Sequence, residues 1–583
     1  MEPMQIEYQK FYYNSLFYDY IFSYEKLKKY FQYDFHDPDA FKKRAEDISG
    51  IYNNGFRPKI SDRLAHINKR FGCSEITIKN CESLKDRETL VVIGGQQPGL
   101  LTGPVFIIYK IFSIIKLARH LSDFLNLKVV PVFWNASDDS NFSQVNNTFL
   151  LDRELKKVDL SLTDIGQIPD DKNQKRFSDI LIPEGLALKK INEFMGFLPE
   201  TDFKDSLRDF FSDCLKRLSK SHFESSNREH GGQAAAVCRP DRTTVNDICP
   251  ANSISPNDFF SALITGLFSK YGLVLIDPSD TELKKLSLPV LEGDICNHGS
   301  IEKLVNKSGE RLVKDGYHSQ LTADKDFLNF FIVKDGVRKR IKCGRDSSYI
   351  FNKTALSEED LRSLIVSDFS KISLNVISRP LFQDMMLPVL ATVCGPGEVS
   401  YFSQLKEVYD ISGLKQPIIY PRFSATIVEN KIKKAVEKTG MGFELLKHER
   451  KDISGIIAKN NPGIDIDNIL KSLENDILDK TVKVRDFMDK SGIEYGSYFG
   501  RLENNLKKEI KILSKKISSE AENKNFSLTL GIDKIFLNLF PSGKLQERVI
   551  NVFYYINKYD FKFLEDLYDI IDVKNWTHKL VIL

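Results

Sequence analysis

Two adjacent glutamines behind two glycines are the first residues of this chain whose type and spacing suggest chemistry. Gln96 and Gln97 follow Gly94 and Gly95 in the run VVIGGQQPGLLTGP, residues 91–104, which also holds Gly99. Glycine lets main-chain N–H groups approach a ligand closely, and paired amides beside it add both donors and acceptors. Together they suit anionic oxygens at the start of a helix. A rigid strand-to-helix turn explains the glycines as well, but a turn alone does not need the amides. The run is neither a GxGxxG fingerprint nor a Walker A loop, because Lys110 lies too far from the glycines and no GK[ST] occurs.

Carboxylates and an arginine form the other candidates. Asp138 and Asp139 are adjacent in NASDDSNFSQVNN, and such a pair can orient an amine, bind Mg²⁺ or share a proton in a dry site. Loop acids and helix caps have the same appearance. Asn141, Asn146 and Asn147 add amides able to hydrogen-bond a substrate. In RPLFQD, Arg379 has the fork geometry to clamp a carboxylate, or it forms a structural ion pair, with Gln383 and Asp384 beside it. In CGPGEVS, Gly395 and Gly397 open the backbone, and Glu398 is a helix-start acid or a holder of a substrate ammonium. His318 in GYHSQ lies between strand-like pieces, with a satisfied structural histidine as the competing reading. His230 beside Gly231-Gly232 marks a loop. Neither Cys394 nor Cys238 has a sequence-local base, so neither reads as a nucleophile.

The elements around these residues predict an α/β fold. A β-branched strand, Leu90–Ile93, leads through the glycine run into an amphipathic helix over 105–119. A second strand over 127–134 then opens into the aspartate loop. This βαβ order places ligands at the carboxyl ends of the strands. A helix-then-strand unit follows at 260–275, ending in Asp277. Strand-like alternation is expected around Arg311–Leu321, and a hairpin about the turn Lys334-Asp335-Gly336-Val337. Strands at 388–393 and 417–420 flank a helix over Tyr401–Tyr409.

Four regions are expected: an N-terminal helical region over 1–88 packed on the core, a Rossmann-like core with connecting inserts over 89–427, an antiparallel helical coiled-coil arm over 428–525, and a segment over 526–583 returning to the core. In the arm, Leu502, Leu506, Ile510, Leu513 and Ile517 keep spacings of three and four, with a helix break at Asn460-Asn461-Pro462-Gly463.

Composition narrows the class. The 583 residues carry 83 basic and 80 acidic side chains, a formal charge of +3 that gives no reason to invoke nucleic acid. No apolar stretch reaches membrane-spanning length, and the N-terminus lacks a secretory pattern. Eight cysteines form no CxxC pair or Cys/His ladder, which predicts a reduced cytoplasmic protein without a metal site.

The longer runs carry a resemblance. GGQQPGLLTGPVFIIYK (94–110), PVFWNASDDSNF (131–142), GLVLIDPSD (272–280), GYHSQ (316–320), RPLFQDMMLPVLATVCGPGEVSYFSQLKEVY (379–409) and PSGKLQERV (541–549) resemble the BshC family of bacillithiol-biosynthesis cysteine-adding enzymes. The resemblance implies a Rossmann-like core with a coiled-coil arm used for homodimerisation. It also implies addition of L-cysteine to the amine of glucosaminyl-malate, with ATP or ADP and Mg²⁺ as the associated cofactors. Asp138, Asp139 and Glu398 would then be catalytic, and Gln96, Gln97, Asn146, His318, Arg379 and Gln383 would bind substrate. Gly94, Gly95, Gly99, Gly395 and Gly397 would bind the cofactor. The family loop reads approximately W-x-A-x-E-D-H-D-F with a later Asn-His pair. Here Asp138 replaces the glutamate, Asn141 an acid, and Ser140 and Asn147 the two histidines, which removes their proton chemistry. A related ATP-dependent amide-forming enzyme with another substrate, or a catalytically weak nucleotide-binding scaffold, is the alternative implied by that change.

Overall fold

A computed structural model describes residues 1–6, 11, 14–161, 163–165, 175–229, 253–344, 348–453 and 466–583. The segments around His230, Gly231, Gly232 and Cys238, and the expected break at Asn460–Gly463, lie outside the described residues. The chain divides into two compact units, residues 1–426 with 545–581, and residues 427–544 with 582–583.

The first unit is built on a five-stranded, all-parallel sheet. Its strands are β1 (Leu90–Gln96), β2 (Val129–Asn135), β3 (Val274–Ile276), β4 (Val389–Cys394) and β5 (Ile418–Pro421), in the spatial order β5-β4-β1-β2-β3. Runs of Val, Ile and Leu are buried on both faces of the sheet, as parallel sheets require. Sequence order runs outward from β1 through β2 to β3, then resumes on the other side of β1 with β4. The β1/β4 crevice is therefore the topological switch point, where ligands favour the carboxyl ends of the strands.

Helix α1 (Phe106–Leu125) crosses from β1 to β2, and α2 (Pro256–Phe268) precedes β3. N-terminal helices pack on this sheet: Arg44 donates to Val389 O at 2.9 Å and Tyr20 to Ile419 O at 2.7 Å. An antiparallel five-stranded sheet is organised around the hairpin Phe327–Lys334/Val337–Cys343, turning at Asp335-Gly336 as expected. Strand Ile372–Leu374 pairs with the first arm of that hairpin.

Two expected elements differ. The region around Arg311 ends a 27-residue helix, Leu288–Lys314, whose apolar residues Leu291, Ile295, Ile301, Val305 and Leu312 are buried at helical spacing; a loop follows. The expected helix over Tyr401–Tyr409 is two short helices, α3 (Pro396–Phe402) and Lys406–Ile411. The turn between them carries Gln404, whose buried amide accepts from Gln320 N and Leu321 N and donates to Leu321 O.

In the second unit, α4 (Ile466–Lys490) and α5 (Tyr498–Leu539) contact each other along a helical hairpin joined by a short turn, near which Arg485 pairs with Glu503 at 2.5 Å. Helix α5 runs through residue 525 without a break, because no Gly or Pro occurs between Arg501 and Asn525 to end it. The C-terminal segment rejoins the first unit from Leu545.

That segment is anchored by a buried ion pair. Arg422 follows β5 and donates to Glu547 at 2.5 Å, with the two side chains 3% and 1% exposed. Glu547 also accepts from Ser424 Oγ and Ala425 N. His578 lies between Ser424 and Thr426, and burial pulls its pKa down to about 4. Glu547→Gln is expected to lower unfolding free energy by about 3 to 5 kcal/mol, read by chemical denaturation, because it strands a buried guanidinium. His578 adds a pH dependence of known sign. The unfolded imidazole takes a proton near pH 6.5 and the folded one only near 4. Stability relative to a His578→Asn variant should therefore be full above pH 6.5 and decline as pH falls towards 4, by roughly 3 kcal/mol. A flat difference between pH 7 and 4 would refute this assignment.

Candidate active site

Two polar networks flank the carboxyl end of β1, and the paired glutamines divide between them. Gln96 joins the first. Lys110, on α1, is 1% exposed, and its Nζ donates to Gly95 O at 2.7 Å, to Gln96 Oε1 at 3.1 Å and to Glu398 Oε2 at 2.6 Å. The same Glu398 oxygen accepts Gly395 N–H at 2.7 Å, so Glu398 is the helix-start acid of α3. Its Oε1 takes no hydrogen bond among the described residues, and the side chain is 23% exposed. Burial holds the Lys110 ammonium below its ordinary pKa against the pull of Glu398. Arg379, at the start of helix Ser378–Met386, donates to Tyr401 Oη at 2.8 Å and to Gln383 Oε1 at 3.4 Å. Gln383 in turn donates to Asp384, which Tyr409 also bonds. Burial raises the Asp384 carboxyl to about 6.

The second network lies between β1, β2 and the antiparallel sheet. Asp138 and Asp139 do not share a proton site: their carboxylates meet different cations. Asp138, 12% exposed, lies 2.9 Å from Lys284 Nζ and 3.5 Å from Arg176. Arg176 is itself held by Asp179 at 2.7 Å. Burial lowers Lys284 to about 8 despite Asp138. Asp139, 37% exposed, accepts from Gln97 and from the N–H groups of Ser140 (2.6 Å) and Asn141 (3.3 Å), with Arg338 of the hairpin 3.5 Å away. Behind them Ser137 bonds Asp277, the acid at the end of β3, and Asn257 donates to the same carboxylate at 3.0 Å.

The glycines do other work than expected. Gly94 and Gly95 continue β1 instead of opening a turn. A Cβ on Gly94 would meet Ile114 and Val393 O at 2.9 Å, and one on Gly95 would meet Trp134 at 3.1 Å. Gly99 packs on Gly103, where an added Cβ would come within 2.8 Å. At the start of α1, Val105 N–H donates to Ile550 O, and Asn551 bonds the carbonyls of Leu101 and Gly103. The phosphate cradle expected at Gly94, Gly95 and Gly99 is thus filled by the protein's own packing. Gly395 gives its N–H to Glu398, and only Gly397 has open space at its Cα.

Asn146 and His318 are not drawn into either network. Asn146 donates to Leu160 O at 2.8 Å and lines an apolar pocket with Leu100, Phe142, Phe177, Ile191 and Phe260. His318 sits in the loop after Lys314, its Nε2 3.1 Å from Gln320 Oε1. Asn147 donates to Ser143 O and to Asn146 Oδ1. Among the described residues, no group of three His, Cys, Asp or Glu side chains is placed to hold a metal, and no helix is long and apolar enough to cross a membrane.

Sequence reasoning missed Lys110, Lys284, Arg176 and Arg338. Lys110 left a signal: it stands in the apolar stripe of α1, three residues from Ile107 and four from Phe106 and Ile114. The others are surface-like cations in sequence and become site residues only through tertiary contacts.

Both ends of the chain match one family in order. Residues 1–226 and 243–423 match the model of the BshC N-terminal Rossmann-like domain, and residues 425–583 match that of the BshC C-terminal coiled-coil domain. The chain belongs to the BshC family. Relatives named "Putative cysteine ligase BshC" span nearly the whole length. They include those of Desulforamulus reducens (27% identical over 590 residues, 99% of each chain), Bacillus cereus strain AH187 (29% over 564, 94% of each) and Geobacillus sp. strain WCH70 (28% over 584, 97% of each). The Rossmann-like core and the helical arm agree with that division, and a ligase role holds at the family level.

The two partners of the Lys110–Glu398 pair should respond differently to mutation. Lys110→Met removes three buried hydrogen bonds and leaves the Glu398 carboxylate facing an apolar side chain, a loss expected at about 3 kcal/mol or more. Glu398→Gln should cost less, because Lys110 keeps two carbonyl acceptors and the partly exposed glutamine amide can still offer its oxygen. Equal destabilisation of the two variants in denaturant titrations would contradict this ordering.

Proposed function

We propose that this chain is a carbon–nitrogen ligase that attaches L-cysteine to the amine of glucosaminyl-malate, the last step of bacillithiol biosynthesis. The observation that carries the reading is the cluster of Glu398, Lys110, Gln96 and Arg379 at the β1/β4 switch point, beside the half-exposed Asp139. Whole-length similarity to relatives that bear the cysteine ligase name supports cysteine as one substrate.

Amide formation sets the requirements. A free carboxylate has no good leaving group, and an ammonium has no lone pair, so the carboxyl must be activated and the amine deprotonated. A Rossmann-like fold is consistent with nucleotide binding in general. ATP with Mg²⁺ would supply an acyl phosphate or adenylate; the glycine run at 94–99 does not fit its phosphates, and no step is assigned there.

The chain's own residues account for the rest. Asp139, fixed by Gln97 and two backbone N–H groups, orients the sugar amine and takes its proton. Glu398 Oε1, free of the bonds that hold Oε2, receives a substrate ammonium. Arg379, with donors left beyond Tyr401 and Gln383, holds a carboxylate, and the Gln96 and Gln97 amides border the space between. Asp138 serves by anchoring the loop to Lys284. The coiled-coil arm is consistent with dimerisation, and exposed Leu473, Phe487, Ile512 and Leu513 leave it apolar surface for a second copy.

Ser140 and Asn147 favour one second reading, a related amide-forming enzyme with a different acceptor, since neither side chain moves protons near neutral pH. Purified protein incubated with cysteine, glucosaminyl-malate, ATP and Mg²⁺ is expected to yield the mass of bacillithiol. Asp139→Asn should lower the rate about 10²- to 10⁴-fold. Acylation of another amine with glucosaminyl-malate inert would establish the second reading. Absence of product where a histidine-containing relative succeeds would overturn the first.

A further inference from the structure

Arg338 reaches the aspartate loop after β2 from outside the parallel sheet. It belongs to the hairpin strand Val337–Cys343, opposite Val333, with its guanidinium 4.1 Å from the Phe331 ring centroid. Nη2 donates to Leu374 O at 3.0 Å. Nη1 faces the aspartate loop, 3.4 Å from Ser140 Oγ and 3.5 Å from Asp139 Oδ1. Both contacts are long for a guanidinium, whose bonds to carboxylates usually measure about 2.7 to 2.9 Å. Nε is buried without an acceptor among the described residues.

The neighbouring carboxylates are already served. Asp139 takes Gln97 and two backbone N–H groups, and Asp138 takes Lys284 and Arg176. A cation only 12% exposed therefore stands with spare donors beside an acid that is 37% exposed. A buried cation so loosely engaged is disfavoured unless its donors gain a further acceptor.

We infer that Arg338 is a specificity-determining residue whose Nη1 edge, with Ser140 Oγ, receives a carboxylate of the acceptor. This rests on the proposed function and names what distinguishes its acceptor. In glucosaminyl-malate the amine and the malyl group stand on neighbouring sugar carbons, so amine and carboxylate arrive together. Asp139 and Arg338, 3.5 Å apart, present an acid and a cation side by side. Ser140 fits this role as a small hydroxyl that leaves room and adds a donor, which a titrating ring would not. The site thus selects a carboxylate-bearing amino sugar over a neutral one.

Calorimetric titration of the full chain with malate alone, then with glucosaminyl-malate and with methyl glucosaminide, tests this independently of turnover. Arg338→Gln should weaken malate and glucosaminyl-malate about 10- to 100-fold and leave methyl glucosaminide within about threefold. Arg338→Lys, which keeps the charge but loses the fork, should fall between and serves if the glutamine variant does not fold. Wild-type affinity for malate in either folded variant, equal losses for charged and neutral acceptors, or no malate binding by the wild type at millimolar concentration overturns the inference, whatever the ligation assay gives. Arg338-dependent malate binding without ligation would leave the inference standing and remove the cysteine-ligase reading instead.

Discussion

Lys110 carries an ammonium into the interior beneath the carboxyl edge of the parallel sheet, and the site is arranged around that buried charge. A lysine there is tolerated only with acceptors on every side, and Gly95 O, Gln96 Oε1 and Glu398 Oε2 supply them. Those acceptors belong to the end of β1 and the start of α3, the two backbones that border the switch point. The same contact therefore fixes Gln96, sets the entry of α3 through the Glu398–Gly395 cap, and leaves the other Glu398 oxygen without a hydrogen bond among the described residues. Arg379 and Tyr401 then face a preset acid. Preorganisation of this kind comes from burial: the charges cannot relax into water, so their geometry is held before substrate arrives.

The second network solves a different problem, how a loop of consecutive acids keeps one shape. Asp138 is drawn inward to Lys284 and Arg176, while Asp139 is pinned outward by Gln97 and its own following N–H groups. The loop turns at Ser137-Asp138, where Asp139 N–H bonds Ala136 O, and the two carboxylates leave it towards different partners; the antiparallel sheet completes the arrangement. Lys284 also donates to Ile372 O, and Ser373 Oγ to the Asp138 carbonyl, so the strand beside the hairpin is stitched to the aspartate loop. The insert is thus a structural wall of the site as well as the source of Arg338.

The core strands and crossover helix were readable because their signals are local. β-Branched runs make β1 and β2, the apolar stripe makes α1, and Asp335-Gly336 makes the hairpin turn. Positions of Gln96, Gln97, Asp139 and Glu398 at strand ends followed from that order. What was not readable depends on partners far along the chain. Nothing in TELKKLS distinguishes Lys284 from a surface lysine until it meets Asp138, 146 residues away. The strand-like texture near Arg311 came from the end of a long helix and the glycine-bounded loop after it, where local alternation outweighs a period that began at Leu288. The paired acids suggested a shared proton because adjacency in sequence says nothing about the direction of side chains.

The glycine run shows why a motif resemblance needs packing to interpret it. In a dinucleotide fold, glycines at a strand end bare the backbone and the helix start for a phosphate. Here Ile114, Val393 and Trp134 lie against Gly94 and Gly95, and Ile550 takes the N–H of Val105 at the helix start. The C-terminal segment that supplies Ile550 and Asn551 is held in turn by Arg422–Glu547, so the same buried ion pair that anchors the tail keeps the helix start closed. That helix-start donor is thereby committed, and under the proposed reading anionic oxygens would meet side chains, Arg379 and Arg338 among them. A fork-shaped guanidinium suits the paired oxygens of a carboxylate or a phosphate, so the packing of the glycines leaves such recognition to side chains rather than to the backbone of the turn.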